Sequence, residues 1–171
     1  YNSNGTISKE VSPEGTTKYR YNAYKQLTNI SSPGNASRSF AYDPKGRIIK
    51  ITDTIPGTTP LVTTIAYDAY GRTSTISHPS GIIETKAYNS NGYLKSVSAG
   101  GSTRWTISAV NARQQVTSAT YGSSLNASFG YNSYGFPTSI STGSIQNYNY
   151  SFDPVTGNLN WRKNLLQGKI Q

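Results

Sequence analysis

One short pattern recurs along this chain and limits the architectures open to it: an aromatic residue, Asn or Asp, two variable residues, then Gly. It stands at Tyr1-Asn2 with Gly5, Tyr42-Asp43 with Gly46, Tyr67-Asp68 with Gly71, Tyr88-Asn89 with Gly92 and Tyr131-Asn132 with Gly135. Three further copies are degenerate: Tyr21-Asn22 has Lys25 in the glycine place, Val110-Asn111 has Gln114 there, and Phe152-Asp153 reaches Gly157 one residue late. The starts fall at 1, 21, 42, 67, 88, 110, 131 and 152, so seven steps cover 151 residues and average about 21.6, a period typical of repeat architectures. The one long step, from 42 to 67, carries the insertion Ile55-Pro56-Gly57-Thr58-Thr59-Pro60.

Each unit reads as two strands and two turns. Ahead of the motif, one face holds the motif aromatic and the residue two before it: Tyr19 and Tyr21, Phe40 and Tyr42, Ile65 and Tyr67, Phe129 and Tyr131, Tyr150 and Phe152. Alternation of this kind marks a half-buried strand. Lys86 and Ser108 fall on that face in two units and make it imperfect there. The Asx side chain can accept a backbone N–H two residues on, and Gly takes the positive φ that closes the turn. Lys25 and Gln114 must adopt that geometry at a cost or relax the turn. After the corner, apolar residues come two and five places past the glycine position, as in Leu27 and Ile30, Ile48 and Ile51, Leu94 and Val97, Val116 and Ala119. A spacing of three is not alternation, and it predicts a bend or bulge in each unit. Pro- and Gly-bearing turns such as Ser12-Pro13-Glu14-Gly15 and His78-Pro79-Ser80-Gly81 close the second corner.

The fold expected is all-β: tandem antiparallel hairpins, about eight units in one repeat domain over 1–171, paired into a twisted, curled strip. A lone hairpin is marginal, whereas stacked hairpins cover one another's edges. The outermost edges are then expected to self-associate unless blocked.

Composition narrows the function. The chain has 171 residues, with 14 Tyr but no Cys, no Met, one His and seven acids. Without Cys there is no disulfide scaffold, Cys-zinc site or thiol nucleophile. Without Met, the sequence is expected to lie inside a longer chain. No basic-then-apolar leader opens it, so any export signal is expected elsewhere, and no apolar run is long enough to span a membrane. The net charge of +9 comes from sixteen Lys and Arg scattered at about two per unit, which fits solvated strand faces better than a nucleic-acid surface.

His78 reads as a turn residue, since no partners converge on it by spacing. Asp43, Asp68 and Asp153 share their place with five Asn, and Asn can serve a turn but not general-base chemistry. Each loop has a single carboxylate, too few for calcium. No catalytic, cofactor-binding or metal-binding residues are assigned, and the chain reads as no enzyme. Tyr24, Tyr70 and Tyr134 occupy the fourth motif place, inside the turn, and are the ligand candidates for stacking on sugar rings. The plainer alternative lays them over the neighbouring hairpin.

Tyr42-Asp43-Pro44-Lys45-Gly46-Arg47-Ile48 and Tyr67-Asp68-Ala69-Tyr70-Gly71-Arg72 resemble the YD repeat of the Rhs (rearrangement hot spot) family, a likeness covering essentially all of 1–160. The chain departs from that consensus in its five Asn and in keeping the Arg only at Arg47 and Arg72. The resemblance implies a segment of a large bacterial secreted or surface protein whose β-strip spirals into a hollow shell. It also implies that the remainder of the parent chain is a partner, enclosed or scaffolded by the repeats, and that cell-envelope glycan is a further candidate partner.

Overall fold

The computed structural model describes residues 1–171. Apart from one 3-10 turn at Pro33–Asn35, its regular structure is all strand. The chain divides into two compact units, 1–85 and 86–171. The first holds β1 (Lys9–Ser12), β2 (Gly15–Tyr21), β3 (Leu27–Ser31), β4 (Ser37–Tyr42), β5 (Ile48–Thr54), β6 (Leu61–Tyr67) and β7 (Thr73–Ser77). The boundary falls within β8 (Ile83–Tyr88). The second holds β9 (Leu94–Ala99), β10 (Ser102–Val110), β11 (Val116–Tyr121), β12 (Leu125–Tyr131), β13 (Pro137–Thr142), β14 (Gln146–Phe152), β15 (Leu159–Asn164) and β16 (Lys169–Ile170).

Within each unit strands lie side by side in chain order and pair antiparallel, β1 through β8 in one and β9 through β16 in the other. The sheet is open, with no closing pair. Substantial contacts link only chain-adjacent strands, apart from β2 against the 3-10 turn, where Gly15 meets the Pro33 ring. No second layer covers either face within a unit.

Burial is accordingly shallow. The accessible surface is 11240 Å², where a compact monomer of 18.5 kDa exposes about 8,200 Å². The best-buried spot is made of small side chains on three adjacent strands, Ala119 paired with Ala127 and Ala127 with Thr142. Elsewhere the strands keep half-exposed residues on both faces, and stability rests on cross-strand pairs rather than a sealed core.

Bulges are present in six of the repeats. In β2–β3, Tyr19 faces Ile30 and Tyr21 faces Leu27, with a register shift between them. β4–β5, β6–β7, β12–β13 and β14–β15 shift at the same motif aromatic. Two steps on the first strand are matched by three on the second, which is the origin of the spacing of three. At β10 the expectation for Ser108 is corrected. A second irregularity makes Ser108 the extra residue, so Ile107 faces Ala119 as Phe40 faces Ile51.

Candidate functional site

The repeating chemistry is concentrated at the Asx corners. In the first unit the Asp43 N–H donates to the Arg47 carbonyl at 2.9 Å and the Gly46 N–H donates back to the Asp43 carbonyl at 2.9 Å. Asp43 Oδ1 accepts from the Lys45 and Arg47 N–H groups, each at 2.9 Å. The pattern repeats at Asn22, Asp68, Asn89, Asn111 and Asn132, whose Oδ1 atoms accept from the residues two and four places on. The longer Asp153 corner uses the Val155 and Thr156 N–H groups instead. Asn performs this task as well as Asp because the atom used is a carbonyl-type oxygen in both.

The glycine place of each motif closes in the left-handed region: Gly46 at φ 82°, Gly71 at 85°, Gly92 at 85° and Gly135 at 91°. Lys25 and Gln114 do not relax the turn; they take φ 61° and 64°, conformations that cost L-residues energy.

Two further links stitch successive corners together. Tyr42 donates its hydroxyl to the Leu27 carbonyl at 2.7 Å, Tyr67 to Ile48 at 2.8 Å and Tyr131 to Val116 at 3.0 Å. Each acceptor lies two residues past the positive-φ residue of the preceding repeat, at the bulge. The ring therefore packs on the sheet while its hydroxyl satisfies a carbonyl of the repeat before it. The second link starts from the residue four after the Asx. Gln26 Nε2 donates to the Gly46 carbonyl at 3.1 Å, and Gln115 Nε2 to Gly135 at 2.8 Å. Arg47 pairs with Asp43 through Nε at 2.8 Å and Nη2 at 2.6 Å, and its guanidinium lies 4.1 Å over the Tyr67 ring. Phe136 stacks on Phe152 with centroids 5.4 Å apart and covers Gly157. A Cβ at Gly46 would come within 2.9 Å of Gln26 Nε2, and one at Gly71 within 3.2 Å of Arg47 Nη1. A side chain there would displace the tips of Gln26 and Arg47, so glycine serves these corners chiefly through its positive φ.

The electrostatics follow from these bonds. The Arg47 N–H and guanidinium beside Asp43 hold its carboxyl below the usual range. Asp153 is lowered by the N–H and hydroxyl of Thr156 and the Val155 N–H. Burial pushes Asp68 up, but the Arg72 N–H and guanidinium and the Tyr70 N–H outweigh it, leaving a net depression. All three are carboxylates engaged as acceptors, with no neighbouring acid to share a proton.

The ligand candidates stand out from this framework. Tyr24 is 85% exposed, Tyr70 84% and Tyr134 62%. Tyr24 borders an open groove of about 600 Å³ with Gln26, Tyr42, Pro44 and Lys45, while Tyr70 has Arg72 4.9 Å from its ring centre. Tyr24 and Tyr70 belong to the first unit and Tyr134 to the second. His78 Nε2 lies 3.7 Å from Glu84 Oε2 across the β7–β8 turn, a pair that its separation of six residues did not announce. No cluster of three His, Asp or Glu side chains forms, and no helix is long and apolar enough to cross a membrane. Sequence reasoning also missed the Tyr-to-carbonyl links, which join residues 15 to 19 apart.

Residues 21–60 match the family model of the RHS Repeat. No curated protein matches the chain. Among solved structures, the chain is similar to TcdB2-TccC3-Cdc42, at 16% identity and a TM-score of 0.73 over 87% of this chain and 9% of that one. It is likewise similar to the Photorhabdus luminescens Tc holotoxin pore, at 15% identity and 0.75 over 94% and 10%, and to TcdB2-TccC3-TEV, at 15% and 0.74 over 91% and 9%. The chain therefore spans about a tenth of the length of these neighbours.

Proposed function

From the match of residues 21–60 to the RHS Repeat model we propose that the chain is a non-catalytic structural segment of a YD-repeat shell or stalk on a secreted or surface bacterial protein. Its eight repeats act as one array that supplies length and a protective wall. The remainder of its parent chain is the partner it holds or encloses. The observation that carries this reading is what the recurring carboxylates do. Asp43, Asp68 and Asp153 spend their oxygens on turn N–H groups, and Asn takes the same role at Asn22, Asn89, Asn111 and Asn132. A catalytic carboxylate replaced by Asn would lose its chemistry; a corner does not. The single-layer sheet, uncovered within each unit, fits a wall, and the likeness to Tc toxin structures supports the same assignment.

A second reading, binding of cell-envelope glycan, is favoured by one observation, the outward projection of Tyr24 and Tyr70. Calorimetric titration and a glycan array on the 171-residue chain decide between the two. The structural reading expects no saturable sugar binding. Saturable binding abolished by Tyr70→Ala and Tyr134→Ala would replace it with the binding module.

A further inference from the structure

The repeat that begins at Val110 lacks the ring its siblings use. Tyr42, Tyr67 and Tyr131 each lay a phenol across the preceding repeat and donate to the carbonyl two residues past its corner. The corresponding acceptor for position 110 is the carbonyl of Leu94, two residues past Gly92. With valine at 110, no hydroxyl reaches that carbonyl from its own repeat, and the space the ring would fill stays open. A hollow of about 420 Å³ occupies this place in the second unit, lined by Tyr93, Leu94, Trp105, Ile107, Val110 and Gln114. Its size lies within the range of small-ligand sites, and its wall is largely apolar.

We propose that this hollow is a binding site for a tyrosine side chain presented by a polypeptide, which inserts its ring where the repeat's own tyrosine is missing. The occupant is fixed by the chain's own precedent: in three sibling repeats the same position is filled by a para-substituted phenol bonded to the matching carbonyl. Trp105 and Ile107 offer ring and aliphatic contact, while the Leu94 carbonyl offers the acceptor. A phenyl ring would gain the contact without the hydrogen bond.

The test uses N-acetyltyrosinamide titrated into the 171-residue chain, followed by the indole N–H resonances. Trp105 lines the hollow and Trp161 does not, so Trp161 is an internal control. A saturable shift confined to Trp105 is expected, with N-acetylphenylalaninamide binding about fivefold more weakly for want of one net hydrogen bond. Val110→Tyr should abolish the shift and raise the melting temperature by plugging the hollow from within; Val110→Phe should also block binding with a smaller rise. No saturable shift, equal shifts at both tryptophans, equal binding of the two amides, or binding that survives both plugs would each overturn the proposal.

Discussion

Replacing Gln114 with Gly and Gly135 with Ala should move stability in opposite directions, although both sit at the same place in successive corners. Gln114 holds φ 64° with a Cβ, a left-handed conformation that costs an L-residue about 1–2 kcal/mol. Glycine removes that cost but loosens the unfolded chain by about 0.4–1 kcal/mol. The net expectation is a gain of about 0.5–1 kcal/mol. At Gly135, φ is 91°, and a Cβ would come within 3.0 Å of Arg113 Nη1 and 3.4 Å of Gln115 Nε2. Alanine there incurs the backbone cost, and it pushes on two side chains that bond the same corner: Gln115 to the Gly135 carbonyl and Arg113 to the Ser133 carbonyl. Weakening one such bond adds about 1 kcal/mol, while the stiffer unfolded chain of the alanine variant returns about 0.4–1 kcal/mol, for a net loss of about 1–2.5 kcal/mol. Urea unfolding followed by tryptophan fluorescence reads both variants, since Trp105 and Trp161 lie in the same unit as the corners. With a slope of about 1–3 kcal/mol/M, the Gly135→Ala midpoint should fall by about 0.5–1 M and the Gln114→Gly midpoint should rise by a few tenths. A fall for Gln114→Gly, or an unchanged midpoint for Gly135→Ala, would refute the corner geometry.

Other expectations follow from single contacts. Tyr131→Phe keeps the ring but strands the Val116 carbonyl, and should cost about 1–2 kcal/mol in the same urea titration. Because Asp43, Asp68 and Asp153 titrate below their unfolded values in the folded chain, their contribution is present above about pH 4 and fades as pH falls through the folded values. Thermal melts at pH 7 and pH 3 should therefore show a smaller acid loss in Asp43→Asn with Asp68→Asn than in the parent chain. Tyr24→Ala and Tyr70→Ala remove rings that are mostly in water and should leave the unfolding free energy from the urea titration within about 0.5 kcal/mol of the parent.

What the sequence discloses is local. The eight corners are legible because an Asx oxygen and a residue with positive φ must stand three places apart for the turn to close, and the bulge is legible because Leu27 and Ile30 are three apart rather than two. The links between repeats are not. Nothing near Tyr67 indicates that its hydroxyl ends at Ile48, a contact that exists only after two repeats have paired. The residues that cover the following glycine, Gln26, Arg47, Gln115 and Phe136, differ in charge, polarity and shape, so no pattern search unites them; the shared property is reach. Ser108 escaped for a related reason, since an extra residue in β10 exchanges its face with that of Ile107 and alternation cannot show where such an insertion falls. The candidate tyrosines were found by motif place, but whether a turn side chain folds back or stands in water depends on neighbours outside the turn.

The account rests on the bulged register that joins every corner to its strands, and cross-strand NOEs in the labelled chain test it most directly. Phe40 should contact Ile51 while Tyr42 contacts Ile48. A Tyr42 contact with Ile49 in place of Ile48 would mean an unbulged hairpin, with the tyrosine hydroxyls and corner glycines out of step, and would contradict the account.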